Sequence, residues 1–463
     1  PLRPSLLLVP GALLCAFFIG AGIGVIADPA PVVLGASVAL LLFTASVFAP
    51  RAALLIAVFV LVTHLADVAP GVAGDNAAPA IVGLLVAATI ARRAIDGTPV
   101  RLPRDACWIG VYLAGLMLAT VAAGDRGSAT DGLVDVFGYA ALVVLLLLQI
   151  DSAIWIRRLV WTVVAALGLL ALLAVFQQLT HTYGSAFGGL ARIEPDGDVI
   201  RSGGPLSANY FGQMLAVGAV LAGYVAGVAR DGRERFIGVL VTVACLVALA
   251  FTFSRGAIVG VVVAALVAAF LRRARLAIVV GIAVGTVLVT LFVLPPEVSR
   301  RVSSLGALLA PTTEQDSSLQ GRTSENLAAI EMWRAHPIEG VGPGNFELHY
   351  LDYSAGIGLD ARPEGRSAHS LYLESLAETG LVGSVPFFVL LAVALWRPWR
   401  ARAQLDGESA LLAEGVFVAL VAYLVTALTL HAAFIRNLWI VLALALVTGQ
   451  VARLEASTGQ EPS

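Results

Sequence analysis

Lysine is missing from this chain: all 29 of its basic residues are arginine. Codon usage alone accounts for such a bias, but any cationic site must then be built from guanidinium groups, which grip oxyanions through a planar fork. Cysteine is nearly missing as well. Cys15, Cys107 and Cys245 each sit inside an apolar run with no pairing spacing, so neither a disulfide nor a thiolate metal site is expected. Charge of either sign is scarce, at 13% of residues, and the net charge of −2 comes with no basic tail, so no nucleic-acid partner is expected. Among the six histidines, His336, His349 and His369 lack a ligand spacing such as H-E-x-x-H, so no metal and no other cofactor is expected.

What fills the chain instead is apolar sequence. Hydrophobic residues make up 59% of it, and the mean hydropathy is +0.90. Runs near 20 residues recur along almost the whole length, enough to cross a bilayer core as helix. Lipid leaves no partner for open backbone groups, so the expectation is an all-α polytopic membrane protein. The runs place spans near 5–27, 31–49, 51–67, 77–94, 106–123, 132–150, 156–179, 207–229, 235–253, 257–271, 275–295, 381–397, 409–432 and 435–453, or about 12–14 helices once short early runs are allowed to merge. The first run leads directly into further spans and reads as a retained helix. Arginine sets the orientation. With both termini in the cytoplasm, inner loops hold Arg51, Arg92–Arg93, Arg101–Arg104, Arg157–Arg158, Arg230–Arg235, Arg272–Arg275 and Arg397–Arg402, while short outer loops hold only Arg126, Arg192, Arg201, Arg255 and Arg436. The chain then divides into membrane helices over 1–295 with a short outer loop at 180–206, an extracytoplasmic loop domain at 296–380, and a final helical block with a cytoplasmic tail over 381–463.

The long outer segment has its own punctuation. Residues 311–320 are polar and turn-rich. A helix is predicted from about Thr323 to Ala335, with Leu327, Ile330 and Trp333 on one face and Pro337 as its stop. Gly340, Gly342 and Gly344 then demand a tight irregular turn, and a further helix from about Ser370 runs to a C-cap at Gly380. Two tempting signals are set aside. Asp196-Gly-Asp198 imitates the D-x-D of nucleotide-sugar transferases but is an ordinary turn former on the wrong side of the membrane. Gly340-Val-Gly342-Pro-Gly344 lacks the strand and βαβ unit of a dinucleotide fingerprint. His64 and His431, near outer span ends, read as local hydrogen-bonding residues.

Three outer positions carry chemistry. Arg201 lies in IRSGGPLSANYFG just before a span, and Arg255 lies in FTFSRGAIVG between two spans. Each is followed by glycine and a helix start, which presents backbone N–H groups to an anion beside a bidentate guanidinium. Snorkelling to the interface is the alternative for both. His369 stands directly before a helix start, where the helix dipole and the two arginines oppose imidazolium and leave a neutral base.

The Arg201-Ser-Gly-Gly pattern with its following Asn209, the Ser254-Arg255-Gly256 turn, and the loop series Gly321-Arg322, Trp333, His336-Pro337, Gly340, Gly342, Gly344, Phe346 and Ala368-His369 together resemble the O-antigen ligase / O-antigen polymerase (Wzy-type) membrane glycosyltransferases. The resemblance covers roughly residues 200–385. It implies a GT-C-like helical fold with one large, partly helical outer loop. It implies transfer of a glycan from an undecaprenyl-diphosphate carrier to an acceptor hydroxyl on a glycan, glycolipid or protein, inverting and without metal, at the outer face of the cytoplasmic membrane. Carried over, Arg201 and Arg255 would hold the donor diphosphate and His369 would act on the acceptor. Arg322, Glu339 and Tyr350 would help to place substrate. Ligase, polymerase and protein O-oligosaccharyltransferase stay open within the resemblance. A lipid-linked-glycan transporter is a further alternative, which would place charges at mid-membrane rather than at the rim.

Overall fold

The computed structural model describes residues 43–68, 77–196, 199–272, 317–357, 366–431 and 433–458. The predicted spans at 5–27 and 275–295, and most of 31–49, lie outside these residues. Among the described residues, eight helices are long and apolar enough to cross a membrane and three shorter apolar helices accompany them. The protein is thus an all-α, multi-pass membrane protein. In chain order the helices are α1 (Pro50–Thr63), α2 (Ala77–Ile95), α3 (Ala106–Ala122), α4 (Arg126–Gln149), α5 (Ala153–Leu179), α6 (Ala208–Gly227), α7 (Gly232–Thr252), α8 (Arg255–Leu271), α9 (Ser317–Ala335), α10 (Phe346–Ser354), α11 (Leu371–Gln404), α12 (Gly407–Thr426) and α13 (Arg436–Thr458). Each predicted span that falls among the described residues overlaps one of them. The boundary that moved most belongs to α11, which starts ten residues before the predicted span because its first turns stand outside the apolar run.

Long apolar helices form here because water is absent from their surroundings, so each must satisfy its own backbone. Burial is reversed accordingly: Phe236, Val239 and Val243 of α7 face outward, where lipid meets them. α13 sits at the centre, with Leu438, Trp439, Leu442 and Val447 all but fully enclosed, against α3, α4, α11 and α12. Close packing uses small residues, as expected where hydrophobicity cannot drive helices together. A Cβ on Gly256 of α8 would lie 2.4 Å from Thr429 Oγ1, and one on Gly260 would lie 2.4 Å from Thr426 Cγ2 and 3.0 Å from the Ala422 carbonyl. This contact locks the start of α8 against the end of α12.

The loop at 180–206 departs from the all-helical expectation. It contains a small antiparallel sheet in the order β1 (Gly184–Ala186), β2 (Ala191–Asp196), β3 (Val199–Ser202). Asp196 pairs with Val199, so β2 and β3 pair antiparallel; residues 197–198 of the Asp-Gly-Asp turn reading lie outside the described residues. The strands are short and lie away from the apolar runs, which is why hydropathy did not report them.

In the large loop, α9 begins at Ser317, ahead of the expected Thr323, and ends at Ala335 before Pro337. Its inward face also differs from the expected one. Ser324, Glu325, Ala328, Ala329 and Met332 are buried, whereas Leu327 is exposed. Small side chains let α9 approach closely, and a buried carboxylate finds partners from distant sequence. Tyr350 of α10 is enclosed in this core, with its hydroxyl 3.1 Å from Ser324 Oγ.

A glycine clasp fastens this loop to α11. Val341 N–H donates to the Ala377 carbonyl, Gly342 N–H to Glu378, Leu381 N–H to Pro337 and Val382 N–H to Ile338. The exchange needs a break in α11 at Gly380 (φ 53°, ψ −159°), so this glycine interrupts a long helix rather than ending one. Gly340 sits opposite at φ +73°, and a Cβ there would lie 2.4 Å from the Glu378 backbone. The Glu378 carboxylate accepts from Gly344 N–H at 2.8 Å and Phe346 N–H at 3.0 Å, closing the turn onto the start of α10. Asn345 Nδ2 bonds the Asp125 carbonyl at 2.9 Å, tying the turn to the α3–α4 connection. Gly340→Ala should therefore destabilise the protein by more than the roughly 1–2 kcal/mol of a left-handed non-glycine residue. Thermal unfolding in detergent should show a clear drop in midpoint, and an unchanged midpoint would mean that the clasp contributes nothing.

Candidate active site

Burying an ionised carboxylate is costly unless it is paired. Glu325 is fully enclosed, and a guanidinium and an imidazole meet it. Arg366 Nη1 lies 2.6 Å from Oε1 and His369 Nδ1 lies 2.5 Å from Oε2. Burial pushes the Glu325 carboxyl up, but His369 and Arg366 together outweigh it and hold the group below the ordinary carboxylate range. The Ser367 carbonyl oxygen also lies 3.3 Å from His369 Nδ1. Two acceptors therefore face Nδ1 and no donor does, so the proton belongs on Nδ1 and the lone pair on Nε2. Nε2 has no partner among the described residues. This surrounding differs from the sequence expectation, in which arginines and a helix start were the charges nearest His369. The nearest one is a carboxylate, and its effect is to fix the ring and its tautomer.

His431 completes the site. It lies in the connection between α12 and α13, and its ring is edge-on to His369 with centroids 6.0 Å apart. On its other side the Tyr210 ring is edge-on at 5.1 Å, and Tyr210 donates its hydroxyl to the His431 carbonyl at 2.6 Å. Its partners come from α6 and the α11 start, contacts that its neighbours in sequence do not reveal. Burial, then the neighbouring His369, push the His431 imidazole down to about 4, against an opposing pull from Glu325. It is neutral at physiological pH. The unfolded chain protonates a histidine near 6.5, so the unfolded state binds more protons between that value and 4, and stability must fall as pH drops through this window. His431→Gln should flatten the loss of thermal stability between pH 7 and pH 5. Equal slopes in both proteins would count against the burial of a neutral ring.

Arg201 and Arg255 both lie by the end of α7, one on β3 and one at the start of α8. Arg201, on β3, donates from Nε to the Thr252 carbonyl at the end of α7 (2.8 Å) and from Nη2 to Asn209 Oδ1 (2.7 Å), in the residue next to Tyr210. Arg255 is the first residue of α8, three positions beyond Thr252. The Gly256–Thr429 contact sets it beside the strand of chain that reaches His431 two residues later. A continuous series of contacts thus joins Arg201, Asn209–Tyr210, His431, His369, Glu325 and Arg366, with Arg255 held against it through Thr429. The C-terminal carbonyl of one helix and the N-terminus of the next both lie at the arginine pair.

Arg322 lies on α9 one turn before Glu325. Glu339 is half exposed and 3.4 Å from His336 Nδ1, a surface pair. Tyr350 lies in the loop core described above. His64 Nδ1 sits 2.6 Å from Asp67 Oδ2. Among the described residues, no group of three or more His, Cys, Asp or Glu side chains could hold a metal ion. Glu325 and His431 are the members of this cluster that the sequence reading did not single out. A carboxylate on the small-residue face of a helix was the one signal available for Glu325.

Residues 240–388 match the family model described as O-antigen ligase. The matched stretch runs from within α7 into α11 and contains Arg255, Glu325, Arg366, His369 and the glycine clasp, while Arg201, Tyr210 and His431 lie outside it. No curated protein matches the chain.

Proposed function

We propose that this chain, whose residues 240–388 carry an O-antigen ligase domain, transfers a glycan from an undecaprenyl-diphosphate carrier to an acceptor hydroxyl, with inversion at the anomeric carbon. The observation that supports this best is a histidine anchored through Nδ1 on a buried carboxylate, with Nε2 open, in one contact series with two arginines at helix ends. In this reading Nε2 of His369 takes the proton of the acceptor hydroxyl. The acceptor oxygen then forms its bond to the anomeric carbon as the bond from that carbon to the phosphate oxygen breaks. Charge develops on the departing diphosphate, and the guanidinium groups of Arg201 and Arg255 stabilise it there. Glu325 stays ionised and balances the imidazolium that forms. The loop domain and the arginine ends would face the extracytoplasmic side of the cytoplasmic membrane, with both termini inside, as the arginine bias supports.

The test is transfer by the purified protein from a synthetic carrier-linked glycan to a panel of acceptors: a second carrier-linked glycan, a glycolipid and a hydroxylated peptide. These distinguish polymerase, ligase and protein O-oligosaccharyltransferase. In that assay Arg201→Lys and Arg255→Lys should each lose most of the activity, because a point charge does not reproduce a fork on diphosphate. Near-normal turnover in both variants would make them interfacial anchors.

A further inference from the structure

A cavity lies at the opposite end of the helices from His369. It measures about 870 Å³ and is formed where the α2–α3 connection, the end of α4 and the last turns of α13 meet. Four arginines, Arg93, Arg101, Arg104 and Arg453, line it against one acid, Asp151. That acid is already engaged by Arg51. Arg93, Arg101 and Arg104 meet no carboxylate among the described residues, so three positive charges converge without compensation. A deeper part of the wall is unsatisfied as well. Arg453 donates from Nη2 to Asp105 at 2.6 Å, but its Nη1 is buried with no hydrogen-bond partner. Gln450 spends its Nε2 on the Leu147 carbonyl at 2.5 Å and leaves Oε1 buried and unpartnered. Buried polar groups without partners are rare and each calls for an explanation.

We propose that this cavity binds the phosphate-bearing headgroup of an anionic membrane phospholipid, with a hydroxylated headgroup such as glycerol. The arginines suit a phosphodiester, Nη1 of Arg453 supplies a further donor, and Gln450 Oε1 accepts from a headgroup hydroxyl. The apolar side of the same cavity points to a lipid and not to a free anion. Leu102 is 69% exposed and Leu454 42% exposed at its rim, beside Leu147 and Leu148, where acyl chains would lie. Basic pockets between membrane helices recognise lipid headgroups by this combination. Nothing in the glycan-transfer reading requires this site, which is at the far end of α3 and α13 from it.

The experiment is native mass spectrometry of the detergent-purified full chain, reading the dissociation constant of the first bound lipid for phosphatidylglycerol and phosphatidylcholine. The intact protein should prefer phosphatidylglycerol. Removing one arginine near a membrane surface weakens anionic-lipid binding roughly fivefold, so Arg101→Gln with Arg104→Gln should weaken it on the order of 20-fold while leaving phosphatidylcholine unaffected. Arg93→Gln, on a different element, should give a smaller loss in the same direction. Arg255→Lys should bind the lipid like the intact protein. Equal affinity for the two lipids, or phosphatidylglycerol binding unchanged in the arginine variants, would overturn the proposal. Displacement of the lipid by inorganic phosphate or glycerol phosphate at matching concentrations would assign the site to a free anion and overturn the lipid reading.

Discussion

His369→Ala should abolish measurable glycan transfer or lower it by about 10²–10⁴-fold, the range over which a positioned general base contributes, while carrier-linked donor still binds. The separation follows from where the groups sit. The diphosphate would meet Arg201 and Arg255 at the junction of β3, α7 and α8, whereas His369 reaches that region from the foot of α11. Donor binding and turnover measured side by side for His369→Ala and His369→Gln decide the matter. Glutamine keeps a polar side chain of similar reach but cannot take a proton, so both variants should be equally poor. Normal turnover in both would make the histidine structural and the mechanism wrong. Loss of donor binding in both would instead move His369 to the donor side of the reaction.

The second large effect belongs to Glu325, a positioning residue that acts through His369. Glu325→Gln keeps size and hydrogen bonding but removes the charge that holds the imidazole tautomer and would balance the imidazolium formed during transfer. Turnover should fall on the order of 10²-fold with the Michaelis constant of the donor little changed, following the logic of a carboxylate behind a catalytic histidine. Glu325→Asp should recover part of that loss. A merely structural role would not respond to charge in this way. Stability should suffer too, since the variant removes the buried carboxylate from its pair with Arg366; breaking a buried pair costs about 3–5 kcal/mol. Because the folded carboxyl lies below its ordinary range, the pair's contribution is fully present above the unfolded value of 4.5 and is lost as pH falls through the folded one. The acid side of the unfolding profile should therefore steepen in the native protein and not in Glu325→Gln. Full transfer activity in Glu325→Gln would remove this carboxylate from the mechanism.

Much of the scaffold was legible because its governing constraint is one-dimensional. An apolar run near 20 residues must be a helix in lipid, whatever it packs against. Hence the predicted spans at 77–94, 106–123 and 235–253 reappear within a few residues as α2, α3 and α7. Punctuation was legible for a similar reason: Pro337 cannot continue a helix, and Gly340, Gly342 and Gly344 all adopt the positive φ that only glycine takes freely. The strands at 184–202 were not legible, since a few residues of pairing outside the membrane leave no long apolar period to read.

The site divides along the same line. Arg201, Arg255 and His369 could be singled out because each is an ionisable residue shortly before an apolar run, an unusual place visible from its neighbours alone. Their partners could not. Glu325 meets Arg366 across 41 residues of chain, and His431 meets His369 and Tyr210 only because α6, α11 and the α12–α13 connection converge. Whether a carboxylate is a solvated surface charge or the buried support of a histidine depends on what three-dimensional packing brings within 3 Å of it, not on its neighbours in sequence. The sequence by itself determined the membrane class, the helices and the residues able to do chemistry, since length, hydropathy and charge are local properties. The tertiary structure alone decided which of those residues form one site, because desolvation and ion pairing are properties of contacts between distant segments.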